Sequence, residues 1–370
     1  MTNRALSTYT WILTACLAGC DGESSGRGDT DGATDGTTGL AEGTSAGTAN
    51  PSATGATDGG SAAEGTSASA TRADSESSGG DGDPTGDETT DGPGTASCPA
   101  GILPPGRYND VTLEHGGESR SYDLYVPETV DVTQPATLVL NFHGLYGTPG
   151  QQAMFSQYDA AAAAAGVVVA YPTGISNSWN TGLCCGGAQS SGVDDVGFAR
   201  TVVQHVGLGS CIDSTKVFAI GMSNGGHMAH RIACEAADVF AGVASVAGVL
   251  TMLQCTPSRP ISVQQFHGTA DTIVQYGGIG PGFPGAEDMM QGWAARNGCA
   301  PVPNVTHQQG NSTCETWTAC DDGVEVTLCT VEGGGHCWPG NASCTFGAST
   351  TDVNANDVFA QLMASQSLPR

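Results

Sequence analysis

Three short, nearly continuous apolar runs limit what this chain can fold into: ATLVLNF at 136–142, GVVVAY at 166–171 and KVFAI at 216–220. They lack the alternation of a strand with one wet face, and so read as strands buried on both sides. An alternating strand precedes them at 121–126. Further strands are predicted within 240–250, at 261–266 and at 324–331. Helical spacing fills the intervals at 151–165, 193–206, 224–236, 286–297 and 352–365. Strands alternating with helices imply an α/β domain, a mainly parallel central sheet flanked by helices. In such sheets ligands bind beyond the carboxyl ends of the strands, so the residues just after each strand are the ones to inspect for chemistry.

Composition separates this domain from what precedes it. Residues 10–18 form an apolar run too short to span a bilayer, behind a single Arg4. It reads as a signal-peptide core, and Leu17-Ala18-Gly19-Cys20 resembles a bacterial lipobox. Cleavage would leave a signal peptide at 1–19 and a lipid site at Cys20, giving an exported protein anchored to membrane by its N-terminus. Residues 21–97 are almost all Gly, Ser, Thr, Ala and Asp, with 15 acidic and two basic residues. Such a segment cannot bury enough surface to offset its ordering entropy, so 20–97 is expected to be a disordered acidic tether. Residues 98–370 are long enough for one large domain. The net charge of the whole chain is −26 and its lone lysine is Lys216, which argues against a nucleic-acid partner.

Of 14 cysteines, Cys16 and Cys20 fall in the leader, leaving twelve in the domain. An even number, widely spread in an exported chain, reads as disulfides. Without paired CxxC clusters or HExxH, no metal is expected. The adjacent Cys184-Cys185 could close on itself or serve two separate bridges.

After the run at 216–220 comes Gly221-Met222-Ser223-Asn224-Gly225, which matches G-x-S-x-G. This pattern sets a Ser on a tight strand-to-helix turn, its hydroxyl presented as a nucleophile near a helix N-terminus. The base is expected at His336, in a glycine run just past the last predicted strand. Asp271, shortly after the strand at 261–266, is the expected carboxylate, with Asp288 and Asp321 as weaker rivals. The chain order Ser, acid, His agrees with the nucleophile-elbow pattern. Oxyanion donors are expected from the backbone N–H of Asn224 and of Leu145 in HGLYG, with Tyr146 N–H as the alternative. No cofactor is called for by these groups.

Taken together, GMSNGGHMA, HGTAD followed by Gln275-Tyr276-Gly277-Gly278, and GGGHCWPG resemble the secreted esterases that include polyhydroxybutyrate depolymerases, feruloyl esterases and acetyl xylan esterases. Trp179-Asn180, Cys184-Cys185-Gly186 and 193–198 resemble that family's middle section. The resemblance spans about residue 108 to the C-terminus. It implies an α/β-hydrolase fold and a Ser223–Asp271–His336 triad working through an acyl-enzyme. The expected substrate is a feruloyl-like ester of plant polysaccharide fragments or a hydroxyalkanoate oligomer, with Trp338, Trp179 and Tyr276 as substrate-binding aromatics. A binding protein reusing the fold, or a peptidase with the same triad, are the alternatives.

Overall fold

The computed structural model describes Cys98 and residues 102–369. The expected signal peptide, the Cys20 lipid site and the tether lie outside the described residues.

Ten strands form one mixed sheet: β1 (Gly106–His115), β2 (Glu118–Val126), β3 (Ala136–Phe142), β4 (Val168–Pro172), β5 (Ile212–Met222), β6 (Gly242–Val246), β7 (Ser262–Gly268), β8 (Asn304–Gln309), β9 (Ser312–Trp317) and β10 (Val326–Val331). Their order is β1-β2-β4-β3-β5-β6-β7-β10-β9-β8. The six strands from β4 to β10 are mutually parallel. Antiparallel strands extend the sheet at both edges.

The buried runs of the sequence are thus the parallel centre, as expected. The edges β1, β8 and β9 are additions to the sequence reading. β1 is mostly exposed or part-exposed and β8 almost wholly exposed, so neither leaves an apolar run to find. The β1–β2 turn is Gly116-Gly117, both at positive φ (63° and 83°), which suits the two-residue hairpin turns that twist with their strands.

Helices cover both faces: α1 (Pro149–Ser156), α2 (Tyr158–Ala165), α3 (Gly186–Ser190), α4 (Asp195–Gly209), α5 (Asn224–Glu235), α6 (Ala286–Arg296) and α7 (Ala355–Ser365). The single helix expected over 151–165 is two, broken where Gln157 takes φ 50°. The alternation of strand side chains sorts the interior into two cores. Leu138, Leu140 and Phe142 of β3 join Val202, Met228 and Trp293 from α4, α5 and α6. Val139, on the opposite face, joins Tyr158 and Phe359 from α2 and α7.

Six disulfides account for all twelve cysteines of the domain: Cys98–Cys211, Cys184–Cys185, Cys234–Cys255, Cys299–Cys320, Cys314–Cys329 and Cys337–Cys344. Cys314 and Cys329 sit opposite each other in the β9–β10 register. Cys184 and Cys185 close on themselves across a cis peptide.

Candidate active site

The carboxyl ends of β3, β5, β7 and β10 each deliver one part of the site. β5 ends at Met222, and Ser223 follows at φ 57°, ψ −120°, before α5 begins. A non-glycine residue held there costs about 1–3 kcal/mol and persists only where its surroundings enforce it. The Ser223 N–H donates to the Val246 carbonyl at 2.8 Å, and the Ser223 carbonyl accepts from His227 N–H at 2.9 Å. The flanking glycines are steric necessities: a Cβ on Gly221 would lie 2.3 Å from the Gly225 carbonyl oxygen, and one on Gly225 would lie 2.1 Å from that of Phe142.

Asp271 and His336 are joined. His336 Nδ1 donates to Asp271 Oδ2 at 2.7 Å. The other carboxylate oxygen accepts from the N–H groups of Ile273 (2.8 Å) and Val274 (2.9 Å). His267 Nε2 lies 3.5 Å from Oδ2 and 2.8 Å from the Val274 carbonyl, so this ring braces the carboxylate. Burial by itself raises the Asp271 pKa. Hydrogen bonds and charge from His267 and His336 outweigh it, and hold the carboxyl well below its usual range. The rival acids, Asp288 and Asp321, are exposed.

The glycine run that carries His336 packs on the loop that carries Asp271. A Cβ on Gly268 would come within 2.2 Å of the Gly334 carbonyl oxygen, and Ala270 N–H donates to that oxygen at 2.9 Å. The Cys337–Cys344 disulfide then closes the chain just after His336.

The 143–147 loop, after β3, abuts the Ser: a Cβ on Gly144 would lie 3.4 Å from Ser223 Cβ. Tyr146 N–H is committed to the Asn177 carbonyl at 2.7 Å, whereas Leu145 N–H has no acceptor among the described residues. Of the two donors weighed in that loop, Leu145 is therefore the free one. His143 shapes the loop. Its Nε2 accepts from Gly174 N–H at 3.1 Å, which leaves Nδ1 to donate to the Gly144 carbonyl at 2.8 Å.

Two of the three aromatics expected to meet substrate make hydrogen bonds within the fold. Trp179 is fully buried; its Nε1 donates to the His143 carbonyl at 2.9 Å. The Asn224 side chain clasps the Trp179 backbone, accepting from its N–H at 2.7 Å and donating to its carbonyl at 3.0 Å. Trp179 thus joins the loop after β3 to the turn at Ser223. Tyr276 packs edge-on against His267 and bonds Thr330 Oγ1 at 2.8 Å. Each ring sits where its N–H or O–H finds a hydrogen-bond partner. Trp338 does line a cavity, together with Ser223, His336 and Phe346. A second cavity meets the first at Ser223.

The sequence reading missed one support. Asp195 is the first residue of α4. It is buried against Arg120 (2.8 Å), which lies over the Phe198 ring, and it accepts from Asn180 N–H at 2.8 Å. Its partner is some 75 positions away, so no local signal could reveal it.

As for a metal, Cys184, Cys185 and His227 place two sulfurs and a ring nitrogen within 4.8 Å of one another. With the sulfurs joined to each other, neither is a thiolate ligand.

Three buried rings make stability depend on pH. Burial pulls His143 down to about 4, His227 to about 3 and His230 to about 4, against partly compensating hydrogen bonds. These rings stay neutral in the fold but protonate in the unfolded chain below about pH 6.5. Their contribution is thus complete above that pH and is lost as pH falls toward 4. Each ring adds a slope of about 1.4 kcal/mol per pH unit within that window. Thermal unfolding followed between pH 7.5 and 4.5 should show Tm falling steadily below about pH 6.5; a flat Tm would contradict neutral burial.

A parallel sheet centre with Ser on a strained turn between β5 and α5, and a carboxylate-bonded His delivered after β10, defines an α/β-hydrolase. The prolyl oligopeptidase family matches over residues 156–276. Feruloyl esterase B of Piromyces equi is 35% identical over 218 residues, covering 54% of this chain; the chain spans 39% of that relative's length. A Nocardia uniformis subsp. tsuyamanensis protein named as an esterase, NocK, is 34% identical over 270 residues, covering 65% of this chain and 76% of its own. Among solved structures, the acetyl xylan esterase from Aspergillus awamori aligns with TM-score 0.43 at 19% identity, covering 59% of this chain and 89% of that one. The chain belongs to the α/β-hydrolase family that includes NocK.

Proposed function

We propose that this protein is an exported serine esterase that works through an acyl-enzyme, with Ser223 as nucleophile, His336 as general base and acid, and Asp271 as the group orienting the imidazole. The observation that carries the reading is the 2.7 Å bond from His336 Nδ1 to the Asp271 carboxylate, in a ring that lines one cavity with Ser223. A carboxylate on Nδ1 leaves Nε2 to take the Ser223 proton and fixes the tautomer for doing so. Ser223 Oγ attacks the ester carbonyl carbon, and the resulting oxyanion is held by the N–H groups of Leu145 and Asn224. His336 then protonates the departing alkoxide, and water releases the acid from Ser223 by the same steps in reverse.

The substrate is a feruloyl-like ester on plant polysaccharide fragments, with hydroxyalkanoate oligomers as the rival. The feruloyl choice follows the names of several relatives. The match to the prolyl oligopeptidase family supports a second reading, a peptidase. Six disulfides suit an oxidising compartment. In that setting the leader at 1–19 is removed, Cys20 takes lipid, and 20–97 tethers the domain at 98–370 to the membrane.

One comparison tests the substrate: release of ferulate from feruloylated arabinoxylan oligomers, of hydroxybutyrate from its trimer, and of nitroaniline from a prolyl p-nitroanilide. Ferulate release outpacing the other two by about tenfold or more in kcat/KM is the expected result. Fastest cleavage of the anilide would replace the esterase reading with the peptidase one.

A further inference from the structure

We propose that the cavity walled by the Cys184–Cys185 disulfide receives the acyl half of the ester, and that the disulfide face favours large planar acyl groups. This rests on the serine-esterase reading above.

Two cavities share Ser223, Leu145, Tyr146 and Ile273, and so meet at the nucleophile and its oxyanion loop. His336 lines only the first. The departing alkoxide takes its proton from that ring and must lie within hydrogen-bond reach of it. The alcohol half therefore occupies the first cavity. The acyl half stays covalently on Ser223 after the alcohol leaves, and the second cavity is the space left for it.

The walls of the second cavity suit that occupant. Leu183, Ile279 and Phe283 line it along with the two sulfurs. Leu183 and Ile279 are 41% and 61% exposed, so apolar surface stands open at this wall. An apolar acyl group would cover it. Gln189 and Gln275 add amide groups able to bond a ring hydroxyl.

The disulfide itself has no good explanation in stability. Loop-closure stabilisation grows with the length of chain enclosed, and residues adjacent in sequence enclose almost none. Its effect is local: two thiols become one closed, polarisable sulfur surface, of the kind that contacts aromatic rings favourably. That surface is tied to the catalytic turn. Asn224 Nδ2 lies 3.5 Å from Cys185 Sγ. A Cβ on Gly186 would come within 2.9 Å of Leu145 Cδ1, so the loop presses on the residue that offers the other oxyanion N–H. Leu183 N–H donates to the Thr251 carbonyl at 2.9 Å, and Thr181 N–H to that of Cys184 at 2.7 Å, pinning the wall from behind.

The test uses 4-nitrophenyl ferulate and 4-nitrophenyl acetate, which share a leaving group and differ only in the acyl half. Two variants are compared with wild type: Cys184→Ser/Cys185→Ser, and Ile279→Ser, which alters an exposed side chain. The ferulate-to-acetate ratio of kcat/KM should fall about tenfold in the double variant, whatever happens to the absolute rate on acetate. The same ratio should fall several-fold in Ile279→Ser, and this variant decides the matter if the double variant does not fold. An unchanged ratio in folded variants, beside active wild type, overturns the acyl-cavity assignment alone. Wild type inert toward both esters overturns the esterase reading and this assignment with it.

Discussion

Replacing Ser223 with Ala is expected to lower kcat on 4-nitrophenyl acetate by roughly 10⁴- to 10⁶-fold, the range seen when a hydrolase loses its nucleophile. The substitution removes one oxygen and little else. The backbone bonds that hold the turn run through Ser223 N–H and the Ser223 carbonyl, and Ala keeps both. Ala at φ 57° is strained as Ser is, so the fold loses no conformational advantage that Ser provided. Circular dichroism and Tm should therefore match wild type while turnover disappears. A folded Ser223→Ala variant retaining more than about a tenth of the activity would remove this side chain from the chemistry.

Asp271→Asn is expected to lower kcat by about 10⁴-fold, again without unfolding the domain. The reasoning lies in which oxygen does what. Oδ1 accepts two backbone N–H bonds, from Ile273 and Val274, and the Asn carbonyl can keep both. The new NH₂ then points at His336 Nδ1, where Oδ2 had accepted a proton. To meet it, Nδ1 must become an acceptor and the ring proton must move to Nε2, which leaves no lone pair there to take the Ser223 proton. The imidazolium formed during reaction also loses the adjacent negative charge. Steady-state kcat together with the nitrogen chemical shifts of His336 would check both halves of this argument. Activity close to wild type, with the ring tautomer unchanged, would shift the carboxylate role elsewhere.

Ser223 announces itself locally: an apolar strand, two glycines that a Cβ would drive into the backbone of Phe142 and Gly225, and a helix. Asp271 and His336 stand after strands, at the carboxyl edge where parallel sheets bind ligands, so their position along the chain was informative. Trp179 and Tyr276 read as substrate contacts in the sequence, because an aromatic beside a motif looks the same there whether its ring faces a cavity or braces a neighbour. Only the distant partners, the His143 carbonyl for Trp179 and Thr330 for Tyr276, decide which.

The amino-acid sequence by itself determined the parallel centre of the sheet, the corner at Ser223 and the placement of Asp271 and His336 just after strands, because each depends on residues close together in the chain. Tertiary structure alone decided the antiparallel edges, the pairing of the twelve cysteines, the buried Arg120–Asp195 contact and which of two candidate amides in the 143–147 loop stays free. All of these depend on groups far apart in sequence, whose meeting is set by how the helices and loops pack on the finished sheet and leaves no local pattern behind.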